Sequence, residues 1–329
     1  MRQQEKGILR LAGALFVACF VGIVGFSAGV AGAVADTPPK FVQSWGTEGF
    51  GDGQFKGTRS VTIDQSGNVF VADGRNNRIQ KFGSNGKFLT KWGAEGSGKS
   101  KFRTPSGVAT DPSGNVYVAD LNNHRIQKFD SNGKFLKAWG KKGRGKGQFI
   151  YPRGVATDAS GNVYVAENGN DRVQKFDSNG KFLRMWGKKG RGKGQFTAPY
   201  GIATDSGGNV YVTDPGNERI QKFSSNGKFL KRWGVEGMKE GQFGRTESPA
   251  GVATDPSGNV YVTDPGNNRI QKFDSNGTFL DQWGNKGPEK ERFDFPRGIA
   301  TDTSGNVYVA DTGNNRIQKF ESNETQPTK

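Results

Sequence analysis

Cysteine and histidine each occur once in the chain, as Cys19 and His124. Cys19 lies in an apolar stretch near the N-terminus. A lipid anchor on it would require Cys19 to become a new N-terminus, yet Phe20-Val21-Gly22-Ile23-Val24 simply continue the apolar segment. Charge is missing as well: Leu11 to Ala35 carry none, behind a basic start of Arg2, Lys6 and Arg10 and ahead of small residues ending Ala33-Val34-Ala35. That is the pattern of a signal peptide over residues 1–35, cleaved before Asp36, with 36–40 as a polar linker. A retained anchor is the alternative, because 25 uncharged residues exceed the roughly 20 that span a bilayer. Either way the bulk of the chain is expected outside, secreted, extracellular or periplasmic, or membrane-anchored with the domain outside. Without residues 1–35 no cysteine remains, which excludes a disulfide, a thiolate nucleophile and a zinc–thiolate site.

Nor does any segment after residue 40 carry a helical pattern. What is present is 51 Gly, 24 Phe, 6 Trp and 7 Tyr, with the aromatics at fixed intervals. A chain this polar and glycine-rich can be disordered, but periodic aromatics mark buried strands in repeat folds. The formal charge is +16; residues 1–35 hold three basic residues and one acid, so +14 remains without them. This predicts attraction to polyanions more than it predicts a fold.

The tetrapeptide Asn-Val-aromatic-Val starts at Asn68, Asn115, Asn162, Asn209, Asn259 and Asn306, at spacings of 47, 47, 47, 50 and 47. Each copy is followed by an acid and then Arg-Ile/Val-Gln-Lys-Phe, beginning at Arg78, Arg125, Arg172, Arg219, Arg269 and Arg316. The six tryptophans keep the same period. Within one period, polar and glycine-rich breaks separate four short runs. In the second repeat these are Gly107 to Asp111 (strand a), Asn115 to Asp120 (b), Arg125 to Phe129 (c) and Lys134 to Trp139 (d). Ser-Gly and Asn-Gly pairs supply the positive φ of tight hairpins. Four antiparallel strands in about 47 residues make one propeller blade, and a blade cannot bury its faces alone. The expected fold is therefore all-β, a six-bladed β-propeller over residues 41–320 with a polar tail at 321–329. The sixth repeat ends at strand c. Phe41-Val42-Gln43-Ser44-Trp45-Gly46 has the strand d pattern, so it should pair with 316–320 and close the ring, removing the edge strands that an open array would expose.

These elements, Pro-x-Gly-Val/Ile-Ala-x-Asp, Asn-Val-Tyr-Val-x-Asp and Asn-x-Arg-Ile-Gln-x-Phe, resemble the NHL-repeat family over residues 41–320. WD40 repeats fit poorly, since Trp is followed by Gly every time and never by Asp. The resemblance implies a propeller scaffold. Some NHL propellers of tripartite-motif proteins bind single-stranded RNA on a basic face, and peptidylglycine amidating lyase, a relative, places histidines in or near its active site.

Features repeated in every blade are expected to serve the scaffold. The acid–arginine couples from Asp73 with Arg78 to Asp311 with Arg316 read as semi-buried ion pairs fixing the b–c loop, and the tryptophans and strand b tyrosines read as packing. Function should lie where the repeats differ. The residue before the start of strand a is Arg59, Ser106, Arg153, Tyr200, Ala250 or Arg297. These six should ring the mouth of the central channel, where Arg59, Arg153, Arg297 and Tyr200 are candidates for holding an anionic or sugar-bearing group. On the same face, two adjacent d–a connections carry Lys141, Lys142, Arg144 and Lys146, then Lys188, Lys189, Arg191 and Lys193. They are expected to act as mobile point charges on glycine-rich loops, giving a one-sided field for a polyanion. They are not phosphate loops, because a strand follows them and not a helix N-terminus.

The functional expectation is a monomeric binding scaffold for an anionic polymer, a glycan or an acidic protein, with a nucleic-acid-binding propeller as the less favoured alternative. No cofactor or metal is called for. An enzyme of the lyase or lactonase kind is the further alternative. His124 shares its loop slot with Asn77, Asp171, Glu218, Asn268 and Asn315 and reads as an exposed loop histidine, and no acid cluster unique to one blade suggests a general acid and base.

Overall fold

A computed structural model describes residues 38–322; the expected signal or anchor segment and most of the C-terminal tail lie outside the described residues. Six four-stranded antiparallel sheets follow one another, each in the order a-b-c-d. Blade 2 shows the plan: strand a is Pro105–Thr110, b Val116–Asp120, c Arg125–Phe129 and d Phe135–Trp139. Among the described residues the helical pieces are three-residue 3₁₀ turns in b–c loops, such as Leu121–Asn123. No helix there is long and apolar enough to cross a membrane.

Strand b is buried along its whole length, and its period-two alternation divides it between two neighbours. Val116 and Val118 pack with Phe70 and Phe102 toward blade 1, whereas Tyr117 and Ala119 pack with Val155 and Val163 toward blade 3. A blade is thus a slice between two hydrophobic layers, and six such layers alternate with the six blades. The Tyr117 hydroxyl is satisfied by donating to Asp111 Oδ2 at 2.8 Å. Strand a lies at the crowded axis, where a Cβ on Gly107 would come within 2.6 Å of the Arg153 carbonyl oxygen of the next blade.

The ring closes as expected. Lys40–Trp45 pairs antiparallel with Arg316–Glu321, placing Phe41 opposite Phe320 and Trp45 opposite Ile317. The closing strand therefore starts at Lys40 and its partner ends at Glu321, one residue beyond 41–320 at each end. The seam is packed like any other blade boundary, with Tyr308, Ala310 and Ile317 against Phe55, Val61 and Val71.

Candidate functional site: the channel mouth and its face

The six acid–arginine couples are all formed, with Arg Nε 2.6–3.0 Å from a carboxylate oxygen and every acid fully buried. The arginine does more than hold its own loop. Arg172 also donates from Nη1 to the Arg144 carbonyl at 2.6 Å and from Nη2 to the Gly145 and Gln148 carbonyls at 3.0 and 2.9 Å. Gln174 completes the clamp, donating to the Gln148 carbonyl and accepting from the Gly147 amide. Phe149, fully buried, pins the end of the same loop. The d–a loops are thereby fastened to strand c, so the backbone that carries the expected point charges is held by side-chain hydrogen bonds. Lys141, Lys142, Arg144, Lys146, Lys188, Lys189, Arg191 and Lys193 are all exposed. Among the described residues none of their side chains is in an ion pair, although Lys146 lies 5.7 Å from the Phe182 ring.

His124 is not a free loop side chain. It caps the 3₁₀ turn at a positive φ of 54°, its Nδ1 accepts the Tyr151 amide at 3.2 Å, and its ring lies 5.0 Å from the Tyr151 ring. Asn77, Asp171, Asn268 and Asn315 take the same bond, through side-chain oxygens, from residues of the next d–a loop. Burial lowers the His124 pKa below the ordinary imidazole value, Lys142 lowers it further, and Asp120 opposes. These bonds also confirm that the b–c and d–a loops share one face.

At the axis a cavity of about 280 Å³ is lined by strand a of all six blades, with Arg59, Arg153, Tyr200 and Arg297 at one end. Five of the expected six line this cavity. Ala250 is fully buried, and Ser106, also buried, donates its hydroxyl to the Arg153 carbonyl at 2.8 Å, which leaves four long side chains at the mouth. Thr263 likewise holds the Arg297 carbonyl at 2.8 Å. The Arg153 guanidinium stacks 4.3 Å above the buried Tyr200 ring. Arg59 lies over Gly74, where a Cβ would come 2.7 Å from its Cδ; the same slot holds Leu121, Asn168, Pro215, Pro265 and Thr312 in the other blades.

One residue of the site was missed by sequence reasoning. The spacing of 50 reflects three extra residues in the 244–250 loop, and these bring Glu247 across the mouth, its Oε2 2.8 Å from Arg297 Nη2. Burial lowers the Arg59 pKa; Tyr200 opposes, Arg297 and Arg153 push it further down, and Glu247 opposes. The five side chains are thus within electrostatic reach of one another. Among the described residues no three His, Cys, Asp or Glu side chains gather as metal ligands would.

The family model of the NHL repeat matches residues 59–82, 102–129, 149–176, 196–223, 246–273 and 293–320. No curated protein matches the chain. Similar solved structures include a protein of unknown function from Bacteroides thetaiotaomicron (17% identity, 84% of this chain and 74% of that one, TM-score 0.65). A streptogramin B lyase is 16% identical over 85% of this chain and 97% of its own, with TM-score 0.59. A catalytically inactive histidine-to-alanine variant of virginiamycin B lyase from Staphylococcus aureus, with quinupristin, is 17% identical over 80% of each chain, with TM-score 0.56. At these identities the likeness is one of fold.

Proposed function

The chain belongs to the NHL repeat family, and from that premise we propose that it is a binding scaffold displayed outside the cytoplasmic membrane. Its basic face would take an anionic polymer, a glycan bearing acid groups, or an acidic protein. The observation that carries this reading is the pair of neighbouring d–a loops, whose eight exposed cations have no ion-pair partner among the described residues and stand on a backbone clamped by Arg172, Gln174, Arg219 and Gln221. Fixed backbones hold the charges in one field, so a polyanion would meet a positioned surface, with the mouth arginines at its centre. The export signal belongs to the same proposal and rests on the composition of residues 1–35.

Binding is preferred over catalysis because the only histidine is already engaged in holding the fold, with its Nδ1 accepting the Tyr151 amide. The virginiamycin B lyase made inactive by a histidine substitution therefore offers no ready parallel here. Reversing Lys141, Lys142, Lys188 and Lys189 to Glu tests the reading on a heparin column. Earlier elution at every salt concentration, with an unchanged melting temperature, is expected. Unchanged retention would refute it.

A further inference from the structure

Four polar atoms at the channel mouth are buried without any hydrogen-bond partner: Arg59 Nη1, Arg297 Nε, Tyr200 OH and Glu247 Oε2, the last held only by its ion pair with Arg297. They converge where three guanidinium groups face one carboxylate, so the mouth holds two positive charges more than its own acid balances. Gathering like charges away from water is unfavourable, and a part-buried excess of this sign is relieved by an anion. The placement is built rather than incidental. Gly74 clears the space for Arg59, Tyr200 gives Arg153 a face to stack on, and hydroxyls of Ser106 and Thr263 fix the backbone of Arg153 and Arg297.

A second cavity of about 270 Å³ shares Arg59 and Arg297 with the channel and runs outward between blades 6 and 1 past Arg75 and Phe295. The Phe295 ring lies 5.2 Å from the Arg297 guanidinium. A ligand with its acid group at the axis thus has a partly apolar groove for its body.

We propose that the channel mouth is a specific site for a doubly charged oxyanion, a phosphate monoester or a compact dicarboxylate, and that Glu247 occupies it as an internal competitor which the ligand displaces. Glu247 places a carboxylate where the ligand's would go, on the one d–a loop that carries three extra residues, and although its Oε2 is buried against Arg297 its side chain as a whole is about 39% exposed. The inference rests on reading this face as a binding face, but it makes no use of the lysine loops.

Titration calorimetry of the full chain with inorganic phosphate at low ionic strength tests it, with succinate as the second probe to separate phosphate from dicarboxylate. Saturable binding of one equivalent of either probe is expected. Glu247→Gln should tighten it about tenfold by removing the competing charge. Arg59→Gln combined with Arg153→Gln should abolish it, and Gly74→Leu should weaken it by crowding Arg59. Reversal of the four loop lysines should leave the affinity within about threefold, since exposed charges at a distance are screened, so failure here and failure on heparin are distinguishable. No saturable binding in both the parent and Glu247→Gln, or equal affinities in those two, overturns the proposal. Because Glu247 lies on a loop outside the repeated scaffold, its substitution yields a folded protein in which either outcome can be read.

Discussion

Removing the guanidinium of Arg219 offers a direct measure of what the repeated couple contributes. Its Nε stands 2.8 Å from Asp214, its Nη1 2.6 Å from the Arg191 carbonyl, and its Nη2 3.0 and 2.8 Å from the Gly192 and Gln195 carbonyls. Arg219→Ala leaves a fully buried carboxylate with only the Thr197 amide, Asn217 and Gln221 to satisfy it, and frees the end of the 188–195 loop. Breaking a buried pair by deleting one partner costs about 3–5 kcal/mol, and the freed carbonyls sit near solvent and add little. At about 2–3 °C per kcal/mol for a domain of this size, the melting temperature should fall by about 6–15 °C, and Arg219→Lys, which keeps the charge but not the fork, should fall less. The pH dependence discriminates further. Burial already raises the Asp214 pKa, against the Thr197 amide, Asn217 and Arg219. Without the arginine it rises more. A carboxyl whose folded pKa lies above its unfolded value binds more protons when folded, so its destabilising effect is fully present above the folded pKa and fades as pH falls toward the unfolded value near 4. The difference in melting temperature between parent and Arg219→Ala should therefore shrink as pH falls through that window. A difference that is absent at neutral pH, or constant from neutral to acid, refutes the account of the couple as a buried ion pair.

Two other outcomes are expected. Deleting residues up to Trp45 removes the strand paired with Arg316–Glu321, and size-exclusion chromatography with calorimetry should show aggregation or loss of the single cooperative transition; an unchanged melt would show that the seam is dispensable. Since His124 is the one histidine, its imidazole resonances in a proton NMR titration should give a midpoint below 6.5, moving upward in Lys142→Glu. A folded pKa below the unfolded one means that this contribution to stability is present above pH 6.5 and is lost as pH falls toward the folded midpoint; His124→Asn, which keeps an acceptor for the Tyr151 amide, should abolish that dependence at nearly unchanged melting temperature.

What could be read in advance was whatever the repeat states six times. Strands b and c, the closing strand and the acid–arginine couples recur with the same residues at the same offsets, and a buried period-two strand leaves little choice of register. The hydrogen bonds that give the loops their order were not visible, although their donors were. Arg172 and Gln174 look like ordinary strand residues, and only the folded blade brings them to carbonyls 24–28 positions earlier. His124 sat in a slot otherwise filled by Asn, Asp and Glu, which signals an acceptor. Its partner, the Tyr151 amide, is 27 residues on and belongs to the next blade.

The mouth shows why departures from the repeat were informative and yet incomplete. At the position that Ser106 occupies, which is the second residue of strand a in four blades, the scaffold asks only that the backbone carbonyl be met by a neighbouring hydroxyl, as that of Arg153 is by Ser106 and that of Arg297 by Thr263. A small side chain would serve at every position, and Ser106 and Ala250 are such cases, both buried. Four large polar or aromatic residues persist where packing does not demand them, and each imposes a cost: three guanidinium groups repel one another, and Tyr200 buries a hydroxyl without a partner. The remaining participant was hidden because an insertion advertises its length and not its destination. The spacing of 50 announced three extra residues, but only the path of the 244–250 loop carries Glu247 to Arg297. If the mouth arginines served folding alone, that carboxylate would be their partner and Glu247→Gln would lower the melting temperature. If they serve a ligand, the same substitution removes a competitor, and the melting temperature in phosphate should rise more for the variant than for the parent.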